Sequence, residues 1–554
     1  MSAGFLIRPR PAVTVVALST LASAFVAHAQ CSPQWRPGPG EVGMNAEAWN
    51  MIHWDADGAG PNPPLLVVGG TFTTAGGQTV NHIAAWDGVN WHALGAGVNN
   101  DVRTLAVLPS TNELVVGGDF TTAGGAPALY LAKWNGTTWS PLGGGVNNIV
   151  TGLTVLPSGQ LFVAGNFTVV GGTVASTRSA IWTGTAWQNL AAGAPARDLI
   201  VAPTGIVYAG GAYNSGSSPN ILQWTGPAPG TWTGVGGGLG GCFGGEYVYD
   251  SARLSNGDLL CVGSFVTTRP GCTQMRNVAR WNGTAWTEMY SASLASAPYA
   301  VAVLPGDDIY VGTNWTNIWP GAGCTAFHWN AATSVWDNMG AYFDSGGNPF
   351  MTDIEVAPDG AMYFCGRLQS MTTDNGAHWT AIGQIARYGP PTPILTAQPQ
   401  DMLACPSSPV SFSVASSGPG PLTYQWRREG VAISDEPNHI SGATTATLTL
   451  TNLVPADFAR YQCNVSNTCG SALSMSATLG VSTCDCIDFN LDGLFPDTQD
   501  ITDFLTVFAG GVCDGQQPTD PPCNIDIDFN NDTLFPDVLD IQSLLSVFAG
   551  GPCL

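Results

Sequence analysis

The chain has 554 residues, of which 10% are charged, 70 are glycine and 14 are cysteine, and its formal net charge is −23. A chain of that length is expected to hold several domains. A single lysine, Lys133, and the lack of any basic patch exclude nucleic-acid binding and disfavour adhesion to an anionic membrane surface.

Residues 1–29 read as a secretory signal peptide. Arg8 and Arg10 form a basic region, Ala12 to Val26 an apolar stretch, and Ala27-His28-Ala29 an A-x-A cleavage site. A retained membrane anchor is the competing reading. No second apolar run could span a bilayer, so the mature chain is expected to be secreted, extracellular or at the cell surface, with no membrane span. Export makes the cysteines candidates for disulfides. Cys261 and Cys365 lie inside apolar strands and read instead as buried free thiols.

Residues 30–390 repeat. Val102-Arg-Thr-Leu-Ala-Val-Leu-Pro109 is followed by Glu113-Leu-Val-Val-Gly-Gly-Asp-Phe120 and then by Leu131-Ala-Lys-Trp134-Asn-Gly-Thr-Thr-Trp139. Paired tryptophans recur as Trp86/Trp91, Trp182/Trp187, Trp224/Trp232, Trp281/Trp286 and Trp329/Trp336. That period, with short alternating strands and Gly-rich turns, predicts one four-stranded blade per copy. First strands fall near Ala48–His53, Val102, Val150, Ala196, Tyr249, Tyr299 and Met351, which makes seven copies. The last copy lacks a Trp-led fourth strand, and Trp35-Arg-Pro-Gly-Pro-Gly-Glu41 at the mature N-terminus is free to supply it. The expected fold class is mainly β, with a seven-bladed β-propeller whose N-terminal strand closes the last blade. The Gly-Gly and paired-Trp pattern resembles kelch-like and related secreted bacterial propellers.

The tryptophans could be read as sugar-stacking platforms. Their recurrence at similar spacing in copy after copy favours a packing role between neighbouring blades. His53, His82, His92, His328 and His378 are scattered and form no metal-ligating spacing, and no nucleophile elbow, P-loop or ordered acid pair stands in a supporting context. No catalytic residue is assigned. Carboxylates far apart in sequence could still meet at one face of such a fold, which itself hosts binders and enzymes alike.

A Pro-rich linker at 389–394 leads into a module at 393–483. It contains Cys405, Trp426, the alternating stretch Thr445–Leu453 and Asp457-Phe-Ala-Arg-Tyr461-Gln-Cys463. It resembles an immunoglobulin-type β-sandwich, with Ala459 standing where the family usually has glycine. The resemblance implies a Cys405–Cys463 inter-sheet disulfide, Trp426 packed on it, and a tyrosine corner at Tyr461. By the loop-entropy relation such a bridge is worth roughly 4 kcal/mol.

The last segment, 484–554, holds 13 Asp and no Lys or Arg, and contains one acidic motif twice, 40 residues apart. The first copy offers Asp488, Asn490, Asp492, the Leu494 carbonyl, Asp497 and Asp500; the second offers Asp528, Asn530, Asp532, the Leu534 carbonyl, Asp537 and Asp540. Alternating oxygens in a tight loop suit Ca2+, and the apolar residues that follow each loop have helical spacing. Cys513 and Cys553 keep the same offset, with Cys484 or Cys486 and Cys523 as candidate partners. The pair resembles a type I dockerin, a small α-helical EF-hand-like module. Two departures are the one-residue-longer loop, which leaves Asp497 or Asp500 to close the site, and Thr533 in place of the second glycine. The resemblance implies calcium-dependent attachment to a cohesin-like protein or cell-surface component.

Two functions follow as expectations. One is a secreted non-catalytic binding, adhesion or scaffold protein whose repeat region recognises a polysaccharide or protein. The other is an extracellular polysaccharide-acting hydrolase or lyase carrying an attachment tail.

Overall fold

The structure is a computed structural model. It describes residues 31–481, apart from 40–42, 59, 191–192, 194–195, 212–219, 227, 241–245, 269–270, 272, 295, 315–323, 375 and 405–408, together with Thr502 and Gln542. The described chain divides into two compact units, one built mainly of residues 64–391 and one mainly of residues 392–467 with 471–481.

In the first unit each repeat folds back on itself as an antiparallel meander. In the second copy the strands are Val102–Leu108, Glu113–Gly118, Leu131–Trp134 and Trp139–Pro141, hydrogen-bonded in that order. The seven inner strands are Ala48–Trp54, Val102–Leu108, Val150–Val155, Asp198–Val201, Val248–Arg253, Pro298–Leu304 and Phe350–Val356. Each packs on the next, and Phe350–Val356 packs back on Ala48–Trp54. The strand Gln34–Pro37 pairs with Ile385–Gly389 and so becomes the outer strand of the sheet that starts at Phe350–Val356. Trp35 of that strand lies against Phe343, Phe364 and Tyr388, with ring centroids about 5 Å away.

The Gly-Gly dipeptide is a packing device. A Cβ on its first glycine would meet the next inner strand, 2.3 Å from Val102 at Gly69 and 2.5 Å from Val150 at Gly117. A Cβ on its second glycine would stand 2.1 Å from a backbone carbonyl oxygen, that of Glu47 at Gly70 and of Asp101 at Gly118. Side chains there would push the sheets apart, which close-packed interiors do not tolerate. The tryptophan pairs sit with ring centroids 5.2–5.3 Å apart in the first three copies. The indole of the second member donates to a carbonyl of the preceding copy: Trp139 to Leu94 at 2.6 Å, Trp187 to Gly143 at 2.7 Å and Trp286 to Val235 at 3.1 Å. A third device recurs at Asn45, Asn99 and Asn147, whose side-chain oxygens each accept two successive backbone N–H groups from Thr73–Thr74, Thr121–Thr122 and Thr168–Val169.

In the second unit, one sheet runs Met402–Ala404, Ala477–Val481, Arg460–Asn467, Thr423–Arg428 and Val431–Ala432, and a facing sheet runs Val410–Ser413, Thr447–Leu450 and Ile440–Ser441. Trp426, Tyr461, Phe412 and Cys463 fill the space between. The Tyr461 hydroxyl donates to the Asp457 carbonyl at 2.9 Å, forming the tyrosine corner. The carboxylate of Asp457 is fully buried, and it accepts from Arg428 at 2.8 Å and from the Val454 N–H at 2.8 Å, with His439 3.3 Å away. A buried charge needs such partners.

The expected fold class is corrected in two respects. The kelch-like seven-bladed β-propeller of uniform four-stranded blades is not what forms: the sheet beginning at Pro298–Leu304 has six strands, because Val335–Asp344 is long enough to recruit Ser370–Thr372 and Thr380–Ala381 from the following copy. Four two-stranded hairpins also stand apart as separate sheets. Nor does an α-helical EF-hand or dockerin-like module enter the architecture. The elements among the described residues are strands and two single 3-10 turns, and 484–554 lies outside the described residues except for Thr502 and Gln542. The fold is mainly β, with an immunoglobulin-like sandwich.

Candidate functional site

The inner strands share one irregularity. In six of them the pairing with the second strand skips a residue at the same place, leaving Trp49, Arg103, Thr151, Tyr249, Tyr299 and Thr352 bulged out of the ladder. In the fourth copy Arg197 stands just ahead of the inner strand, whose first residue is Asp198. A β-bulge redirects a side chain that would otherwise face a neighbouring sheet. The residue before each bulge is apolar and buried, as with Ala48, Val102, Val150, Val248 and Met351, all fully inaccessible. That residue anchors the strand, and the bulged one is free to vary. All seven side chains line one cavity of about 790 Å3 in the first unit, a size in the range of small-molecule sites.

Aromatic rings dominate one side of this funnel. Tyr249 and Tyr299 stack with centroids 4.0 Å apart, Tyr247 lies 5.7 Å from Tyr249, and Phe350 lies 6.1 Å from Tyr299. The Arg197 guanidinium sits 5.2 Å and 5.6 Å from the Tyr249 and Tyr299 centroids. Arg103 lies 4.7 Å over Trp49 and forms a two-pronged pair with Asp119. Both contacts fall within cation–π range.

Beneath the bulges runs a course of polar side chains that stitch each copy to the next. Asn50 accepts the N–H of Leu105 at 2.9 Å, Thr104 that of Leu153 at 3.1 Å, Asp250 that of Val301 at 2.7 Å and Asp353 that of Met51 at 2.7 Å. Asn50 also donates to Asp353 at 3.0 Å, and the Ser251 hydroxyl donates to Asp198. Burial pushes Asp198 up to about 6 and Asp353 to about 7; it raises Asp250 too, with the nearby Asp198 charge adding to the effect. Tyr249 is pushed up to about 12, chiefly by burial, and remains a neutral phenol.

The residues singled out in the sequence lie elsewhere. Asp488, Asn490, Asp492, Leu494, Asp497, Asp500, Asp528, Asn530, Asp532, Leu534, Asp537 and Asp540 fall outside the described residues. The calcium assignment is corrected: among the described residues no group of three or more His, Cys, Asp or Glu is placed to hold a metal ion. Cys463 is a buried, unbonded thiol whose pKa burial pushes up to about 11, and Cys405 lies outside the described residues. Cys261 and Cys365 are buried free thiols. The disulfide present among the described residues, Cys31–Cys469, escaped the sequence, where no motif marks either cysteine. The funnel escaped it as well. Its signal is the position that follows the apolar residue at the head of each inner strand, Ala48, Val102, Val150, Ala196, Val248, Pro298 and Met351, where Trp, Arg, Thr, Arg, Tyr, Tyr and Thr alternate freely.

Comparison with known proteins gives two family matches. Residues 392–467 match the model described as "Immunoglobulin domain", and residues 87–197 match "Rax2 C-terminal beta propeller domain". The kelch-like resemblance is corrected by these matches: within the repeats, residues 87–197 are similar to the Rax2 C-terminal propeller model. A curated relative, leucine-rich repeats and immunoglobulin-like domains protein 3 of Mus musculus, is 33% identical over 104 residues, covering 17% of this chain and 9% of its own length. The expected likeness to secreted bacterial propellers is likewise corrected, since the match in the repeat region is to the Rax2 model. Among solved structures, the titin M3 domain is 26% identical, covering 16% of this chain and 97% of its own, with a TM-score of 0.15. Titin domain M7 is 26% identical, covering 17% of this chain and all of its own, again at 0.15.

Proposed function

We propose that this chain is a secreted, non-catalytic recognition protein whose repeat unit receives its ligand in the funnel, with the immunoglobulin-like module serving as an adhesive or spacing unit. The observation that carries this reading is the ring of bulged residues. A position whose side chain leaves the core in six of the seven copies, while the residue before it stays apolar and buried, is how a repeat fold builds a binding surface without disturbing its packing. A rigid frame and seven independent side chains suit selection of one ligand among many. No helix among the described residues is long and apolar enough to cross a membrane.

The alternative, a polysaccharide-acting hydrolase or lyase, would draw on Asp198, Asp250 and Asp353. Their oxygens instead accept hydrogen bonds from neighbouring strands and side chains, which ties them to structure. Calcium-dependent docking is not part of the proposal.

The test is binding of the full-length secreted chain to arrays of glycans and of extracellular proteins, repeated with Trp49→Ala and Tyr299→Ala. Ligands lost in both variants, with folding unchanged, support the funnel as the site. Ligands retained in both would move recognition elsewhere, and turnover of any bound polysaccharide would favour the enzyme.

A further inference from the structure

The geometry points to an acidic glycan as the funnel's ligand, with Arg197 gripping a carboxylate or sulfate while the sugar lies on the tyrosine shelf. This rests on the funnel being the recognition site and adds the ligand's chemistry.

Two arginines reach into the funnel, and they differ. Arg103 is fully engaged: both prongs of its guanidinium are held by Asp119. Arg197 is exposed, and among the described residues no carboxylate stands within ion-pairing distance of it. What holds it is the pair of rings beneath it. A guanidinium stacked on aromatic faces keeps its in-plane N–H groups pointing outward, already oriented. That planar fork matches a carboxylate or sulfate in two-pronged fashion, and its weak hydration makes the exchange of water for ligand inexpensive.

The shelf supplies the second half of the argument. Tyr247, Tyr249, Tyr299 and Phe350 form one run of rings from three successive copies, each within about 6 Å of the next. Amphipathic rings of this kind offer an apolar face to the C–H side of a pyranose and a hydroxyl edge to its polar rim. Asn166 lines the same cavity and adds a polar side chain, while Asn50, Thr151 and Thr352 are tied to Leu105 and Asp353, to the Ala196 carbonyl and to the Ala48 carbonyl. The space, about 790 Å3 and concave, fits a short oligosaccharide better than a flat protein face.

Four carboxylates line the same cavity, and each is engaged elsewhere: Glu47 accepts from Trp49 and faces Arg367, while Asp198, Asp250 and Asp353 accept from Ser251, Val301 and Met51. Arg197 is exposed and keeps its outward N–H groups for a ligand. The remaining negative charge of the chain is damped beyond about 8 Å at physiological salt, so the local cation decides what is attracted.

The experiment is titration calorimetry with the full chain, using oligogalacturonides, their methyl esters, sulfated galactan oligosaccharides and the desulfated forms. Wild type should bind one acidic probe at least 10-fold more tightly than its neutral counterpart, and which of the two it prefers separates carboxylate from sulfate. Arg197→Gln should abolish that preference and leave weak binding to both. Tyr299→Ala should lose acidic and neutral probes alike. Equal wild-type affinity for acidic and neutral probes would overturn the acidic assignment and leave the funnel as a glycan site. An unchanged preference in Arg197→Gln would also overturn it. Failure of every glycan to bind would overturn this assignment, while the recognition site itself stands or falls on the array binding of Trp49→Ala and Tyr299→Ala.

Discussion

The carboxylate of Asp353 accepts the backbone N–H of Met51 at 2.7 Å, joining the last inner strand to the first. It is the same contact that Asn50 makes to Leu105 and Asp250 to Val301. At this position burial has raised the carboxyl to about 7 from its ordinary 3.8. Between those values the folded chain binds a proton that the unfolded chain has released, so stability falls as pH rises from about 4 to 7. Asp353→Asn keeps an acceptor for Met51 and removes the charge. The variant is expected to be more stable than wild type at pH 8, by up to about 4 kcal/mol, and to show a flatter pH profile between 4 and 7. Thermal denaturation across that range checks it; a wild-type stability that rises with pH there would contradict the assignment.

Gly118 leaves no room for a methyl group, because a Cβ would lie 2.1 Å from the Asp101 carbonyl oxygen. Gly118→Ala is expected to destabilise the first unit by about 1–3 kcal/mol, the usual cost of overpacking. Denaturant unfolding followed by tryptophan fluorescence reads it directly, and an unperturbed midpoint would show that the start of the inner strand shifts more easily than its packing implies.

Trp139 tests the link between copies. Its indole donates to Leu94 while the ring stacks by Trp134. Trp139→Phe retains an aromatic ring and loses one hydrogen bond to the Leu94 carbonyl, which still accepts the Gly97 N–H, at an expected cost of about 1 kcal/mol. Trp139→Ala should cost more, by loss of buried area. If both substitutions proved neutral, the tryptophans would have to be reconsidered as ligand platforms.

In the immunoglobulin-like module, Tyr461→Phe removes the hydrogen bond to Asp457 and is expected to lower stability by about 1 kcal/mol. Asp457→Ala leaves Arg428 without its buried partner and is expected to cost about 3–5 kcal/mol. Urea unfolding of the two variants should preserve that order. Should the two losses come out equal, the carboxylate would not be acting as a buried ion partner.

Peptide mapping without reductant is expected to recover Cys31 joined to Cys469. The same map tests the Cys405–Cys463 bridge that the sandwich resemblance implies. Finding Cys463 alkylated as a free thiol would exclude that bridge.

Recurrent features were legible in the sequence because repetition separates them from chance. The Gly-Gly dipeptides and tryptophan pairs return copy after copy, and each has a steric or hydrogen-bonding reason to return. Tyr461 and Trp426 were legible for another reason: the sandwich demands both at fixed offsets from a cysteine. The bulged residues were not, since a binding position in a repeat is the one that does not repeat. Trp49 and Thr151 share no chemistry, and only the backbone register reveals that they are equivalent. The Arg197–tyrosine stack was hidden for the same reason, its members coming from three different copies. The six-stranded sheet was missed because nothing in the sequence of Val335–Asp344 says that its far half will pair beyond its own copy.

The pairing of Gln34–Pro37 with Ile385–Gly389 has a bearing on biogenesis. The earliest part of the mature domain to be synthesised must wait for the last before its hydrogen bonds can form. Until then the sheet beginning at Phe350–Val356 carries a bare edge, and such non-local pairing is slow and prone to intermolecular capture. Chaperoning would matter most in that interval, and proteolysis within Gln34–Pro37 would reopen the edge in a chain that had already folded.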